Sequence, residues 1–373
     1  MIAKLPVSLL PTSLLMASAL LLAGCAGAAV RGASSWPGLA SDGDLAFVAY
    51  NEAVYAVDLE SGALAWKYPA APERGRLFYA PPAVSPDSLL FVGDFLNQIT
   101  ALDPANGLPE WGPLQLSTPN QRIIGGPAVE DQLLLVASSD GRLYARDAST
   151  GAGLWEFPPA SSKPLVGGLW SAPVVSGDRV FQSALDHNLY VLDRGTGQLI
   201  WNEPPNLGGA IADSPVLSNG LILVGTFGHQ LRALDSEIGS IEWSFDVENW
   251  VWGAPAVGDG VAYFGDLSGV LHAVTLENGG ESWRTAIGSS IAASPVFDQE
   301  RVFIVSENGV VSARAAATGA ELWQRTLEGQ LLSDPLLVGE TLLVANTAGE
   351  PLLTAFVAES GATRWSFTPS EGQ

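Results

Sequence analysis

The sequence has very little cysteine and histidine. Among its 373 residues there is one cysteine, Cys25, and there are three histidines. A lone cysteine excludes an intramolecular disulfide, a cysteine-based zinc cluster and a thiol redox pair. The histidines, His187, His229 and His272, lack the close sequence spacing of a metal or catalytic cluster. We interpret His187 and His229 as hairpin-turn residues and His272 as a strand residue.

Positive charge is also scarce. The chain carries 17 lysines and arginines against 39 aspartates and glutamates, which gives a net charge of −22 at pH 7. An acidic surface repels phosphate groups, so we expect neither nucleic acid nor an anionic lipid surface as a partner. Hydrophobic residues make up 47% of the sequence and charged residues 15%, a composition that predicts a folded chain and not a disordered one.

The N-terminus has the organisation of a lipoprotein signal. Lys4 is followed by an apolar run over residues 5–22 and then by Leu-Ala-Gly-Cys at residues 22–25. This pattern predicts a signal peptide over residues 1–24, whose removal leaves Cys25 to carry acyl chains. We expect residues 25–35 to form a lipidated linker and residues 36–373 to form a single domain. The alternative is an uncleaved transmembrane anchor, because the apolar run is almost long enough to cross a bilayer.

Both interpretations place the bulk of the chain outside the cytoplasm and attach it to a membrane. We therefore expect the protein in the cell envelope, lipid-anchored through Cys25. Its location would be the periplasmic face of an outer membrane, or the outer face of the plasma membrane in an organism with a single membrane.

A glycine followed four residues later by a tryptophan recurs through the sequence. The eight pairs are Gly62/Trp66, Gly107/Trp111, Gly151/Trp155, Gly197/Trp201, Gly239/Trp243, Gly279/Trp283, Gly319/Trp323 and Gly361/Trp365. A proline precedes each tryptophan by 28 to 30 residues, at Pro37, Pro82, Pro127, Pro173, Pro215, Pro255, Pro295 and Pro335. Self-similarity at a period of 40 to 46 residues is typical of repeat architectures.

Each repeat has the pattern of four short strands. Its apolar residues alternate with a period of two and include many β-branched and aromatic side chains, as at residues 180–181 and 189–192. Dipeptides such as Asp140-Gly141 tolerate the positive φ angles of a tight hairpin between the second and third strands. Between the third and fourth strands, Asp103 can cap the turn that Gly107 completes. These features predict an all-β fold, an eight-bladed β-propeller of four-stranded antiparallel blades.

The recurring tryptophan is predicted to join neighbouring blades. On the fourth strand its flat ring can cover the next blade while its indole N–H finds an acceptor. The last three repeats have Thr275, Ala315 and Val357 in place of the aspartate, and we expect these blades to be degenerate but intact. No spare strand is evident at the N-terminus to complete the last blade, so the sequence leaves the closure of the ring open.

The string Ala-Leu-Asp-x-x-x-Gly-x-x-x-Trp, found at residues 101–111 and 233–243, resembles the tryptophan-docking motif of the PQQ-like repeat. The resemblance covers essentially the whole mature chain. Proteins with this repeat include quinoprotein dehydrogenases and non-enzymatic propellers such as the lipoprotein BamB of the outer-membrane β-barrel assembly machinery. The second kind is similar to this chain in its lipobox, length and blade count. The resemblance implies a monomeric envelope scaffold that binds a protein partner, a β-barrel assembly protein if an outer membrane exists.

The dehydrogenases that this repeat resembles hold a quinone beside a calcium ion and commonly use a vicinal disulfide. The single cysteine excludes that disulfide, and no stretch outside the repeat frame offers a cluster of Asp, Glu and Asn for calcium. A Gly-x-Ser-x-Gly nucleophile elbow is also absent. We therefore expect no catalytic residues, no metal ligands and no cofactor. PQQ-dependent oxidation stays as the less favoured alternative.

The residues that the repeat does not require are the candidates for partner binding. Trp170 and Trp252 stand three residues before a repeat proline, and Tyr79 occupies the equivalent place in the second repeat. We expect these aromatic rings to gather near one mouth of the central channel, where long loops at 67–80, 112–124 and 156–169 add basic residues. The predicted partner-binding set is Tyr79, Trp170, Trp250, Trp252, Arg74, Arg76, Arg122 and Lys163.

Two functions of this surface stay open at this point. It can hold an acidic or extended segment of an envelope protein, including by pairing with a strand edge. It can instead form the mouth of a sensory propeller that binds a small ligand or glycan, which requires Tyr79, Trp170 and Trp252 to converge on an open pocket. A third interpretation is purely structural, with the rings plugging the channel or packing between blades.

Overall fold

The computed structural model describes residues 36–369, and within that range the chain forms 31 β-strands and no helix. These strands belong to one compact unit, Ser35–Gln373. They group into eight separate sheets, each built from strands that follow one another in the sequence. The predicted eight-bladed propeller is therefore confirmed. The predicted signal peptide, linker and lipidation site Cys25 lie outside the described residues.

In each blade the strands follow one another in the sequence from the innermost to the outermost. Blade 1 contains β1 (Gly38–Ser41), β2 (Leu45–Tyr50), β3 (Ala53–Asp58) and β4 (Leu64–Tyr68). Blade 2 contains β5 (Ala83–Val84), β6 (Leu90–Gly93), β7 (Gln98–Leu102) and β8 (Pro109–Gln115). Blade 3 contains β9 (Ala128–Glu130), β10 (Leu133–Ser138), β11 (Arg142–Asp147) and β12 (Gly153–Phe157). Blade 4 contains β13 (Val174–Ser176), β14 (Arg179–Ser183) and β15 (Leu189–Asp193).

The last four blades follow the same order. Blade 5 contains β16 (Val216–Ser218), β17 (Leu221–Thr226), β18 (Gln230–Asp235) and β19 (Ile241–Asp246). Blade 6 contains β20 (Ala256–Gly258), β21 (Val261–Gly265), β22 (Val270–Thr275) and β23 (Glu281–Ala286). Blade 7 contains β24 (Val296–Asp298), β25 (Arg301–Val305), β26 (Val310–Ala315) and β27 (Glu321–Thr326). Blade 8 contains β28 (Leu336–Val338), β29 (Thr341–Ala345), β30 (Leu353–Val357) and β31 (Thr363–Phe367).

Blade 4 differs from the others at its outer edge. Its fourth segment is not a continuous strand and meets β15 only at two isolated bridges, Leu192 to Leu199 and Asn188 to Asn206. Pro204 and Pro205 lie in this segment. Proline has no N–H to donate to a strand ladder, which accounts for the interrupted pairing.

The burial of the strands follows from the stacking of the blades. The second and third strands face a neighbouring blade on both sides, so β10 is buried at all six positions. The fourth strand lies at the rim, and β19 is exposed at four of its six positions. Apolar clusters cross each boundary between blades; one joins Val48 and Val57 of blade 1 to Leu343 and Ala355 of blade 8.

An alanine of the third strand lies opposite the repeat tryptophan in seven of the blades. In blade 5, Ala233 pairs with Trp243 and the register then shifts before Leu234. The same pairing and shift occur in blades 1, 2, 3, 6, 7 and 8. A small residue leaves room for the indole, and the β-bulge increases the local twist of the blade edge.

Each repeat tryptophan binds the next blade through its indole N–H. The Nε1 of Trp66 donates to the Pro104 carbonyl at 2.7 Å, and that of Trp111 donates to the Ala148 carbonyl at 3.0 Å. The other six repeat tryptophans make the equivalent bond at 2.8 to 3.0 Å. The predicted role of the eight tryptophans in joining blades is confirmed.

The repeat glycine is required because the indole lies directly on it. Gly197 has a φ of 69°, and a Cβ at this position would come within 2.4 Å of Cε3 of Trp155. A side chain would therefore meet both backbone strain and a steric clash. The degenerate repeats keep this turn, since the Gly319 and Gly361 amides still donate to the carbonyls of Ala315 and Val357 at 2.8 Å.

The ring closes without a strand exchanged between the first and last blades. Blade 1 and blade 8 each consist of four consecutive strands within the described range. Trp365 of blade 8 donates to the Leu59 carbonyl of blade 1 at 2.8 Å and covers Gly62. The hydroxyl of Tyr50 donates to the Thr347 carbonyl at 3.2 Å across the same boundary. The first and last blades are therefore joined by the same docking contact that joins all the other neighbouring blades.

Candidate binding face

The propeller has two faces of different character. One face, called here the loop face, carries the connections from each fourth strand to the next blade and the turns between second and third strands. The opposite face, called the turn face, carries the short turns between first and second strands and between third and fourth strands. The residues predicted to bind a partner fall on connections of the loop face, at 69–82, 116–127, 158–173 and 247–255.

Arg76 is buried and is removed from the candidate surface. Only 1% of the surface of Arg76 is exposed, and its Nε donates to the Asp94 carboxylate at 2.8 Å. The guanidinium also donates to the Tyr68 hydroxyl at 3.0 Å and to Thr100 Oγ1 at 2.9 Å, and it lies over the Phe78 ring. Burial raises the pKa of Asp94, and the bond from Arg76 opposes this shift. Arg76 is a structural residue of blade 2.

Tyr79 is also a structural residue and not a surface one. It is 6% exposed, and its ring packs against Phe95 at 4.9 Å and against Tyr50 at 6.0 Å between centroids. The aromatic contacts fix the connection between blades 1 and 2. A partner could reach Tyr79 only if this connection moved, so it too is removed from the candidate surface.

The other three basic residues are exposed on the loop face. Arg74, Arg122 and Lys163 belong to three successive connections between blades 1 and 4. The Arg122 guanidinium lies over the Phe95 ring at 5.0 Å, and its backbone pairs with Ser139. A cation held on an aromatic face keeps its position with little loss of hydration, so this part of the loop face offers fixed positive charge to an acidic group.

Four aromatic rings form a stacked row that ends at the surface. Trp36 meets Trp252 edge to face at 5.7 Å, Trp252 packs on Phe227 at 4.9 Å, and Phe227 stacks on Trp250 at 4.6 Å with an angle of 8°. Trp36 precedes blade 1 and Trp252 precedes blade 6, three places apart in the ring, so their contact spans the channel mouth. Trp250 is 39% exposed and is the accessible end of the row.

Trp170 does not join this row. Among residues 36–369 its ring makes no aromatic contact with Tyr79 or Trp252. It is half-buried, and its backbone carbonyl passes so close to Gly125 that a Cβ there would lie 2.5 Å away. The three residues that the sequence placed at equivalent positions therefore do not converge on one pocket.

A polar network that the sequence reasoning missed lies just before the innermost strands of blades 5 to 8. Asp213 Oδ2 accepts from the Ala254 amide at 2.8 Å and from the Ser294 hydroxyl at 2.9 Å, and the Ser294 amide donates to Asp334 at 2.7 Å. These residues belong to blades 5 to 8 and lie one or two positions before a repeat proline. The signal in the sequence was the replacement of alanine or glycine by polar residues at that place.

The two carboxylates of this network affect each other. Although solvent reaches the Asp334 side chain, protein surrounds it within the ring and reduces its hydration. This desolvation and the negative charge of Asp213 raise the pKa of Asp334 to about 7, against the opposing effect of the Ser294 hydrogen bonds. The carboxyl of Asp334 therefore takes up a proton more readily than an ordinary aspartate.

The three histidines take the places predicted for them. His187 and His229 are exposed turn residues with φ angles of 76° and 62°. His272 lies in β22, the third strand of blade 6, where its Nε2 is 3.1 Å from Asp266 and its ring stacks on Phe264. The bond to His272 lowers the pKa of Asp266 against the effect of burial.

Residues 36–369 offer neither a metal site nor a membrane-spanning helix. They contain no group of three or more His, Cys, Asp or Glu side chains placed to hold a metal ion. The ligand set of a quinone-bound calcium is thus not found in residues 36–369, and we derive no reaction step through such a group. The same residues include no helix that is long and apolar enough to cross a membrane.

The chain is similar to a known family over residues 26–373. A family model described as outer membrane protein assembly factor BamB matches residues 26–207, 185–267 and 267–373. The chain belongs to the BamB family. The predicted resemblance to the PQQ-like repeat and to BamB is thereby confirmed, and the match extends through the degenerate last three repeats. No curated protein sequence matches this chain.

Solved structures share the fold of this BamB-family chain. BamB from Moraxella catarrhalis has a TM-score of 0.71 and 17% sequence identity, over 85% of this chain and 92% of that one. The computationally designed protein Ika8 has a TM-score of 0.73 and 16% identity, over 88% of this chain and 98% of that one. At such low identity these likenesses establish the propeller and leave function to the residues of the site.

Proposed function

We propose that this protein is a lipid-anchored, non-enzymatic scaffold of the cell envelope that binds protein partners on its loop face. By its family, the role would be assembly of outer-membrane proteins where an outer membrane exists. The observation that carries the proposal is the family match from residue 26 to residue 373, since it covers every blade. The predicted lipobox at Cys25 would hold the scaffold at the membrane.

The loop face has the chemistry of a surface that binds protein. Trp250 presents a large ring already fixed by Phe227, so little side-chain freedom is lost when a partner covers it. Arg122 presents a guanidinium fixed on Phe95. An acidic or extended segment that contacts both kinds of residue fits this face. The outermost strands of the blades, such as β19, also leave a backbone edge for strand pairing.

The alternative of a small ligand or glycan at the channel mouth has less support. It requires Tyr79, Trp170 and Trp252 to line one open pocket, whereas Tyr79 is buried and Trp252 is packed between Trp36 and Phe227. Oxidation with a quinone cofactor has no residue set to support it in residues 36–369. We therefore propose the protein-binding scaffold in preference to the other two functions.

A crosslinked pull-down of the tagged, full-length protein from its native envelope tests this function. The Trp250→Ala/Arg122→Ala variant removes the two fixed groups of the loop face. The Ile238→Ala variant is the matched control, because Ile238 is 72% exposed on the turn face. We expect an outer-membrane assembly protein to be enriched by the wild type and the control and lost by the double variant. Equal recovery by all three, or no enriched protein, would contradict the proposal.

Anchoring is tested separately. We expect wild-type protein to incorporate labelled palmitate and to sediment with membranes, and the Cys25→Ser variant to lose both properties because the chain has no other cysteine. Incorporation of label by the variant would show that the anchor is elsewhere.

A further inference from the structure

A second surface lies on the turn face and is independent of the loop face. It is a groove of about 990 Å³ that crosses blades 6, 7 and 8. Its exposed margin carries four carboxylates from the turns of these three blades, Asp259, Glu300, Glu340 and Glu359. A groove of this volume is in the range that proteins use to hold ligands and peptide segments.

The floor of the groove is apolar. Half-buried and buried residues with apolar surface line it, namely Val261, Tyr263, Trp283, Ala315, Ala316 and Val357. Leu322 stands at its side and is 51% exposed. An extended apolar floor with an exposed leucine is unfavourable in water and gains stability when another chain covers it.

The degenerate repeats supply two residues of this floor. Ala315 and Val357 occupy the position at which the first five repeats have the motif aspartate. In the corresponding groove between blades 3 and 4, of about 690 Å³, those aspartates are Asp147 and Asp193. Both use their carboxylates to cap their own turns, through the amides of Thr150 and Thr196 at 2.9 Å. The larger groove has alanine and valine in place of these capping aspartates, so its lining is more apolar at these two positions.

The charge of the groove is negative and largely unpaired. Its one cation, Arg301, forms an ion pair with Asp298, which also lines the groove. Within residues 36–369, the side chains of Asp259, Glu300 and Glu359 make no hydrogen bond or ion pair, and Glu340 has only a distant contact with Arg364 at 3.8 Å. Burial, followed by the negative charge of Asp259, raises the pKa of Tyr263 in the floor.

We propose that this groove binds an extended segment of another protein that carries lysine or arginine side chains next to an apolar one. The carboxylates come from three successive blades, so one small amine could not contact them all. An extended chain advances about 3.3 Å per residue and can place successive cations along the margin while an apolar side chain covers the floor. Acidic segments are repelled, which distinguishes this groove from the exposed cations Arg74, Arg122 and Lys163 of the loop face.

Fluorescence anisotropy with two synthetic peptides tests the proposal on the complete folded protein. The first is a labelled decapeptide with three lysines, two leucines and otherwise serine and glycine; the second has glutamate in place of each lysine. We expect the lysine peptide to bind and the glutamate peptide not to bind. Neutralising the margin with Glu300→Gln/Glu340→Gln is expected to raise Kd about tenfold at low salt, and Leu322→Ser to raise it about threefold.

The Glu60→Gln/Glu110→Gln variant is the matched control. It removes the same two charges from exposed glutamates that do not line the groove, and we expect its Kd to stay within about twofold of wild type. Equal weakening by both double variants, equal binding of the two peptides, or no binding of either peptide would overturn the proposal. None of these variants touches the loop face, so failure here leaves the proposed scaffold function standing.

Discussion

The indole N–H of Trp365 donates to the Leu59 carbonyl at 2.8 Å and joins residues that are 306 positions apart in the sequence. The same donor and the same type of acceptor join each blade to the next around the ring. Since no strand is exchanged between the first and last blades of the described structure, this bond and the apolar cluster around it hold the ring closed.

The closure contact predicts graded effects at Trp365. Trp365→Ala removes a ring that is 9% exposed and is expected to lower the free energy of unfolding by about 3–5 kcal/mol. Trp365→Phe keeps most of the packing and loses the hydrogen bond, which should cost about 1 kcal/mol. Urea unfolding followed by circular dichroism measures both. Trp250→Ala, at an exposed ring, is the control, and an equal loss in that variant would refute the special role of Trp365.

The repeat glycine allows backbone strain to be separated from steric clash. Gly197 and Gly220 both have positive φ, but a Cβ would meet Trp155 only at Gly197. Gly220→Ala should therefore cost about 1–2 kcal/mol of unfolding free energy from strain alone. Gly197→Ala should cost clearly more, since the indole must also move. Equal losses in thermal and urea unfolding would show that the tryptophan does not rest on the glycine.

The buried pair of Arg76 and Asp94 predicts a large effect when one partner is removed. Arg76→Met leaves the Asp94 carboxylate buried without its cation, which should cost about 3–5 kcal/mol. Adding Asp94→Asn removes the unpaired charge and should restore part of this loss. The double variant is compared with each single variant by urea unfolding. If the loss in the double variant equals the sum of the two single losses, the residues are not coupled.

Asp334 predicts a dependence of stability on pH. Its pKa is raised from near 4 to about 7, so the folded protein binds more protons than the unfolded chain between these values. Stability therefore falls as pH rises through this window and is constant above it. Asp334→Asn should match the wild type near pH 4 and exceed it at pH 7.5. A shift of this size corresponds to about 4 kcal/mol; solvent reaches and screens the side chain, so the gain should be only a fraction of that value.

The comparison is made by urea unfolding at pH 4, 5.5 and 7.5. An asparagine can still accept the bond from the Ser294 amide, so the packing of the channel is kept. A variant that is less stable than the wild type by the same amount at every pH would contradict a raised pKa for Asp334.

The sequence was sufficient to predict the propeller because its repeat marks the contacts that build it. The docking site needs the glycine and the tryptophan, and it recurs in every blade. In seven blades it also has a small alanine opposite the tryptophan. The closure of the ring could not be predicted from the sequence. Trp365 can dock on Gly62 only because the number of blades brings blade 8 next to blade 1.

The candidate site was predicted only in part. Arg76 and Tyr79 have the sequence context of surface loop residues, but contacts with Asp94 and Phe95 of another strand-and-turn segment bury them. Such contacts between distant segments have no local pattern. Trp250 and Arg122 are exposed, yet the stacking of each on a phenylalanine was likewise not evident from the sequence. The predicted involvement of the exposed residues in partner binding stays a prediction.

Site-specific photocrosslinking tests the scaffold claim most directly. A photoreactive amino acid is placed at Trp250 on the loop face and, in a second variant, at Ile238 on the turn face, in cells that express the full-length chain. The account predicts a crosslink from position 250 to an outer-membrane assembly protein and none to that protein from position 238. Crosslinks to it from both positions, or from neither, would contradict a loop face that binds this partner.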